Sequence, residues 1–309
     1  MSKSYKPASS RNIFGGLESL LTSPDVFIKD KAKVLQKLSA LEEDGQNALK
    51  VISDFDMTLT KRWSDGKRNL ISHGVLPAFE ETSKEFIDEL KKLITEIHQI
   101  ENDISLSIED KACQLHSIWE KSNACHVNEK FTFEFICKAV DAHKINYREG
   151  VHQLIATTGA NQIPVLIFSA GIGDIILESL KIQDLLLPHM HIMANFMIFE
   201  ESSPFVLVGF KEPLIHCLNK GDIDIKDTSF YSSFTSRKNI ILLGDTLGDL
   251  AMAAKQDYDT LLTVGFLNEE VEANIEKFSS HFDVVITNDS SFDWVNKIIK
   301  SIIHVNCAF

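Results

Sequence analysis

The sequence predicts an α/β protein: a Rossmann-like, mainly parallel sheet covered on both faces, with a helical block inserted after the first core strand. Three observations predict it. Short apolar runs rich in β-branched residues recur at 49–55, 163–168, 239–243, 261–266 and 284–287, with helical patterns between them. Strand–helix alternation of this kind builds parallel sheets. The runs are apolar throughout rather than alternating, as strands buried on both faces are. Between the first two runs, residues 64–146 read as helix after helix. The expected division is therefore an α/β core of residues 1–63 and 147–309 and a helical cap of residues 64–146. A chain of 309 residues is longer than one simple core usually covers, which agrees with a core plus a lobe.

The elements follow in order. The stretch up to about Ser23 carries mixed signals and is expected on the surface. Residues 25–44 read as an amphipathic helix, with Phe27, Val34, Leu38 and Leu41 near a 3.6 period and Glu42-Glu43-Asp44-Gly45 ending it. Leu49 to Phe55 is a buried strand that ends in acid. Residues 80–102 form a long helix, with Phe86, Leu90, Leu93, Ile94 and Ile97 on one stripe. Ser107-Ile-Glu-Asp110 resembles a capping box opening a helix that carries Leu115, Ile118 and Trp119. Residues 129–143 and 148–158 look helical. Ile163 to Phe168 is a strand, and SAGIGD at 169–174 leads into a helix. Residues 192–210 read as two strands of a hairpin or sheet edge, with turn residues at 200–204. Asn239 to Leu243 is a strand leading into a helix at 247–255. Two more strands, 261–266 and 284–287, are each followed by a helical pattern.

Composition narrows the function classes. Hydrophobic residues are 44% and charged residues 24%, an ordinary globular balance. A formal charge of −13 opposes non-specific binding to nucleic acid or acidic membranes. It does not oppose a small anionic substrate, because a metal or a few donors reverse the field inside a pocket. Cysteines at 113, 125, 137, 217 and 307 form no C-x-x-C, so no zinc framework is expected, and the scatter fits a reducing compartment. The first sixteen residues have no apolar core of a secretory signal, and Cys307 lies one place off a prenylation box. The expectation is a cytoplasmic monomer without a membrane span.

Three strands end in informative residues: Asp54-Phe-Asp56-Met-Thr58, Ser169-Ala-Gly-Ile-Gly173, and Gly244-Asp245-Thr-Leu-Gly-Asp249, with Gly209-Phe-Lys211 between the last two. In an open parallel sheet, ligands bind beyond such ends. Crowded carboxylates repel, so a divalent cation is their natural partner, and an all-oxygen set selects magnesium over zinc. The Ser169 hydroxyl and the N–H groups after it make an anion site. Lys211 supplies a fixed positive charge. Together these describe phosphoryl transfer to an aspartate. Taken singly, each has a plainer reading: an Asp pair is a turn, Ser169 a helix cap, Lys211 a surface charge, Asp249 a first-turn acid, Glu101 a solvated charge and Trp119 core. For the aspartates, Ser169 and Lys211, placement around the strand ends sets the chemistry apart. The histidines at 73, 98, 116 and 126 show no metal spacing.

DxDxT, a strand-end Ser, a Lys and GDxxGD, in this order, resemble the haloacid dehalogenase superfamily of phosphatases. ISDFDMTLT, GKR at 66–68, IFSAGIGD, NFM at 195–197, GFKEPLIHCLNK and NIILLGDTLGD narrow the likeness to the cytosolic 5′-nucleotidase III family, also called pyrimidine 5′-nucleotidases. The likeness runs from about Val51 to Val285 and is weaker before Leu49 and at 222–238. It implies that Asp54 is the nucleophile and a Mg2+ ligand. Asp56 would be the general acid and then the base, its main-chain carbonyl on the metal. Asp245 would be the third metal ligand and Asp249 its support. Ser169, the Ala170 main chain and Lys211 would hold the phosphate. In the cap, Glu101 matches the family's base-recognition glutamate and Ser122 a substrate-contacting serine. His73 is similar to members favouring pyrimidine monophosphates such as CMP and UMP. Trp119 instead looks like members accepting 7-methylguanosine monophosphate, where a large ring stacks on the cationic base. The implied reaction is hydrolysis of a nucleoside 5′-monophosphate to nucleoside and phosphate through an aspartyl-phosphate. Alternatives are phosphoryl transfer to a nucleoside acceptor and a non-catalytic nucleotide-binding protein.

Overall fold

In the computed structural model, the structure describes residues 21, 23–224 and 230–304. Most of the N-terminal stretch expected on the surface, and Cys307, lie outside the described residues. A seven-stranded sheet is built from β1 (Val26–Phe27), β2 (Leu49–Ser53), β5 (Val165–Ile172), β6 (Met190–Asn195), β9 (Asn239–Gly244), β10 (Thr260–Leu267) and β11 (Val284–Thr287). Its order is β1-β11-β10-β9-β2-β5-β6, parallel throughout except for β1. Two small hairpins complete the strands: β3 (Trp63–Ser64) with β4 (Lys67–Arg68), and β7 (Met197–Phe199) with β8 (Leu207–Phe210).

The continuous apolar runs are explained by two cores, one on each face. Successive side chains of a strand point to opposite faces. Leu49, Val51, Val165, Ile167, Ile241 and Leu243 enter one core, which also takes up the helices α1 (Lys31–Asp44), α6 (Val151–Ala160) and α10 (Asp293–His304). Ile52, Leu166, Phe168, Ile240 and Leu242 enter the other, with Phe234 and Phe282. Every one of these strand residues is buried, so truncating any of them to Ala is expected to cost about 2–5 kcal/mol.

Several boundaries differ from the sequence reading. The helix expected over 25–44 starts at Lys31. Asp30 caps it by accepting from Lys33 N at 3.0 Å, and Val26–Phe27 pair instead with β11 as an edge strand. The strand at 49–55 ends at Ser53. The strand expected over 163–168 continues to Ile172, with irregular register between Phe168 and Ile172. The segment at 192–210 divides: β6 joins the main sheet, and only β7 and β8 form the hairpin. The helix at 247–255 is a 3-10 helix over Leu247–Ala253.

The helical block contains α2 (Val75–Ala78), α3 (Lys84–Asn102), α4 (Ile108–Asn128) and α5 (Phe133–Ala142). Ser83, Ser107 and Thr132 cap α3, α4 and α5 by accepting from the backbone N–H three residues on; such caps contribute about 1 kcal/mol each. The last of these moves the start of the helix expected at 129 to Phe133. The β7–β8 hairpin packs on this block: Leu207 N donates to Phe131 O at 2.7 Å and Phe133 N to Phe205 O at 3.2 Å. The chain enters and leaves the block side by side, with Lys61 N on Asn146 O and Arg148 N on Leu59 O, each at 2.9 Å. The fully buried Arg148 guanidinium ties that junction down. It donates to the carbonyls of Met57, Thr58 and Ser290 and pairs with Asp289 at 2.9 Å. No described helix is long and apolar enough to cross a membrane.

Candidate active site

The sheet order places β2 between β9 and β5, so the residues that follow these three strands are neighbours in space. Asp54 comes directly after β2, its N–H held by Leu243 O at 2.9 Å. Asp245 comes directly after β9. Asp249 folds back over it, its Oδ2 accepting from Asp245 N at 3.1 Å, Thr246 N at 2.8 Å and Thr246 Oγ1 at 2.9 Å. Gly244 makes this fold-back possible, since a Cβ there would lie 2.4 Å from the Asp249 Cβ. Carboxylate oxygens of Asp54, Asp245 and Asp249 all fall within 4.8 Å of one another.

A buried lysine that the sequence reading did not assign completes the cluster. Lys220 Nζ sits 2.6 Å from Asp54 Oδ1 and 2.7 Å from Asp249 Oδ1. Burial opposes its charge, but Asp249 and Asp54 outweigh that and hold the ammonium above the ordinary lysine range. Burial pushes Asp54 up to about 7, with Asp249 and Asp56 adding to the rise and Lys220 opposing it. Asp245 is pushed well above the carboxylate range by burial and then by Asp249 and Asp54. Three clustered carboxylates, two buried and that of Asp245 half-buried, beside one lysine are short of positive charge. The donor set is all oxygen, so a hard divalent cation fits it.

Lys211, expected beside the phosphate, is not brought to this cluster. It is exposed, with its Nζ over the Phe196 ring at 5.6 Å. The reason is backbone pairing: Lys211 N bonds to Phe196 O at 2.7 Å as the β7–β8 hairpin closes, which keeps this residue at the hairpin. The chain returns over the strand ends only afterwards, through the 3-10 turn Lys220–Asp222. Lys220 is the last residue of the stretch GFKEPLIHCLNK. The available signal was that second lysine, followed by Gly221-Asp222.

Asp56 stands apart from the trio. Its two oxygens accept from Ser72 N at 2.8 Å and Ser72 Oγ at 2.5 Å. Burial raises its pKa, and the two Ser72 bonds pull it back. Ser169 is buried inside β5, not at a helix start, and its Oγ accepts from Gly171 N at 3.0 Å. The Ala170 carbonyl accepts from Asn195 Nδ2 at 2.7 Å and meets His73 Nε2 at 3.1 Å.

The cap residues reach the same region by two routes. His73, beside the Ala170 carbonyl, packs its ring against Trp119 of α4, centroids 4.6 Å apart. Burial pushes His73 down to about 4, only partly offset by the Ala170 carbonyl, so the ring is neutral near pH 7. Ser122 is buried one turn after Trp119, and its carbonyl meets His126 Nδ1 at 2.7 Å. Glu101, at the end of α3, accepts from Cys217 Sγ at 3.6 Å, on the segment that leads to Lys220. Carboxylates, a lysine, a buried hydroxyl and an acid held separately are thus gathered at one end of the sheet, joined to the aromatic rings of the helical block through the Ala170 carbonyl.

Known proteins are similar to this chain in sequence and in fold. Residues 57–303 match the family model described as pyrimidine 5′-nucleotidase (UMPH-1). The chain is 33% identical over 287 residues to a 7-methylguanosine phosphate-specific 5′-nucleotidase of Mus musculus, covering 93% of this chain and 95% of that protein. The crystal structure of cytosolic 5′-nucleotidase IIIB bound to cytidine superposes with a TM-score of 0.87 at 28% identity, covering 94% of this chain and 98% of that one. A hydrolase of the haloacid dehalogenase (HAD) family from Salmonella enterica serovar Typhi shares the fold, with a TM-score of 0.52 at 15% identity over 87% of this chain and 79% of that one.

Proposed function

The chain belongs to the pyrimidine 5′-nucleotidase (UMPH-1) family, and from that premise we propose that it hydrolyses nucleoside 5′-monophosphates through an aspartyl-phosphate, with Mg2+ as cofactor. Asp54 attacks phosphorus. Ser169 Oγ, the Ala170 main chain and Lys220 hold the phosphoryl oxygens. Asp56 gives its proton to the departing 5′ oxygen, then takes one from the water that cleaves the aspartyl-phosphate. Asp54, Asp245, the Asp56 carbonyl and, as support, Asp249 would hold the metal, which when bound neutralises phosphate charge. Lys211 has no part in this scheme. Residues 64–146 act as the cap over a core of 1–63 and 147–309, and the 197–210 hairpin docks onto that cap.

The base is read between the cap and the core. The neutral His73 ring against the Trp119 indole suits a flat cationic base, and the Glu101 carboxylate, held beside Cys217, would complement its charge. This favours 7-methylguanosine 5′-monophosphate, the ligand class in the name of the murine relative, over CMP and UMP. A cytoplasmic location accords with the cytosolic enzyme it superposes on, and the chain would act there as a monomer.

The observation that carries the reading is the Asp54–Lys220–Asp249 arrangement beside Asp245 at the adjacent ends of β2 and β9. The test is phosphate release from CMP, UMP, GMP, AMP and 7-methyl-GMP, with and without Mg2+. Turnover should require the cation, be greatest with 7-methyl-GMP, and vanish in Asp54→Asn. Full turnover by Asp54→Asn, or after chelation, overturns it.

A further inference from the structure

We propose that Ser72 is the positioning residue that aims Asp56 at the leaving group; the inference rests on the acid–base role given to Asp56 above. Ser72 is fully buried, and it offers both its donors to one carboxylate: N–H to Oδ1 at 2.8 Å and Oγ–H to Oδ2 at 2.5 Å. Rotation about the last bond of an aspartate is soft and roughly two-fold. Two donors from one residue, one on each oxygen, remove that freedom and fix the plane of the carboxyl group. Among the described residues, no other hydrogen bond holds this side chain, whereas Asp54 and Asp249 share Lys220. Asp56 therefore takes its orientation from Ser72 alone.

The space for this clamp is built in. A Cβ on Gly171 would lie 2.2 Å from Ser72 Oγ and 3.1 Å from both Asp56 Oδ2 and Ser169 Oγ. Only a glycine on β5 leaves room for the serine hydroxyl beside the anion-binding strand end. Ser72 also lies on the segment leading from the core into the helical block, next to His73, which holds the Ala170 carbonyl at 3.1 Å. Two consecutive residues thus fasten the acid and the phosphate loop together. Each Asp56 oxygen keeps a second lone pair, so a proton can sit on the side of the carboxyl group that Ser72 leaves free, for transfer to the leaving oxygen, while both Ser72 donors hold the carboxyl plane through both half-reactions.

The test compares the natural substrate with its analogue bearing sulfur at the bridging 5′ position, whose thiolate leaves without needing a proton. Both carry the same base, so cap contacts are held constant. Ser72→Ala is expected to lower kcat/KM for the nucleotide by on the order of tenfold to a hundredfold, within the range of general acid catalysis. For the sulfur analogue it should change kcat/KM less than about twofold. In an Asp56→Asn background, Ser72→Ala should add no further loss for the nucleotide, as expected of residues acting as one unit. Ser72→Cys, close in volume and a weak donor, should show the same selective loss and serves if the alanine variant does not fold. An equal loss on both substrates, additivity with Asp56→Asn, or undiminished nucleotide turnover overturns the proposal. Asp54-dependent phosphate release by the unmodified protein is measured alongside: if that is missing, the nucleotidase reading fails, and if it is present while the Ser72 pattern is not, only this inference fails.

Discussion

Replacing Lys220 by Met should cost both stability and turnover, and the sizes follow from its surroundings. The side chain is 3% exposed, and its partners Asp54 and Asp249 are 9% and 3% exposed. Removing one member of such a buried network leaves uncompensated charge and costs about 3–5 kcal/mol. In a chain of this size that lowers the thermal midpoint by roughly 5–8 °C. A bound cation supplies part of the missing charge, so saturating Mg2+ should return up to about 2.7 kcal/mol at a hundredfold excess over its Kd. Turnover should not recover with it. In the proposed scheme Lys220 is the fixed charge at the phosphate, and loss of one preorganised donor lowers kcat by about a hundredfold or more. The control is Lys211→Met. That side chain is exposed, so its midpoint should stay within about 0.5 kcal/mol of the parent and its kcat should be nearly unchanged. Scanning calorimetry with and without Mg2+, paired with phosphate release, reads both quantities. Parental stability and turnover in Lys220→Met, or a larger loss in Lys211→Met than in Lys220→Met, would refute the assignment.

Two further outcomes are expected. Trp119→Tyr shrinks the ring packed on His73 and should lower kcat/KM for 7-methyl-GMP by about tenfold while sparing CMP, as the loss of about 1–2 kcal/mol of cation–π attraction implies; an equal fall for both bases counts against the base reading. Burial pushes His126 down to about 4, below the ordinary value of about 6.5, so between those values the unfolded chain binds the extra proton. The stabilisation is whole above about pH 6.5 and is lost as pH falls towards 4, by up to about 1.4 kcal/mol per pH unit. His126→Phe, placed among Phe86, Phe131 and Phe210, should flatten the fall in urea midpoint between pH 7.5 and 5; an unchanged slope contradicts this.

What was legible in the sequence is what periodic elements carry. Asp54 and Asp245 could be read because each directly follows a buried strand, and the pairing of those strands alone makes them neighbours. The cap at Ser107 could be read because a cap acts within one turn. Val26–Phe27 could not: two residues pair with β11 at Val26↔Ile286, which leaves no period to detect beside a long helix. The helix at 247 read as α because composition does not reveal that Gly248 lies against the Cys217 carbonyl, where a Cβ would come within 2.5 Å. The same contact explains the lysine. Between the β8 hairpin and Lys220 the path is fixed by such close approaches and by Asn195, which holds Ile215 through both N–H and C=O at 2.8 Å. No repeat propagates register across that segment, so the choice between Lys211 and Lys220 turns on tertiary bonds. Ser72 is hidden for the same reason. The proposed nucleophile and metal ligands sit where secondary structure ends, and are readable. The groups that orient them arrive through irregular chain, and only their partners reveal them.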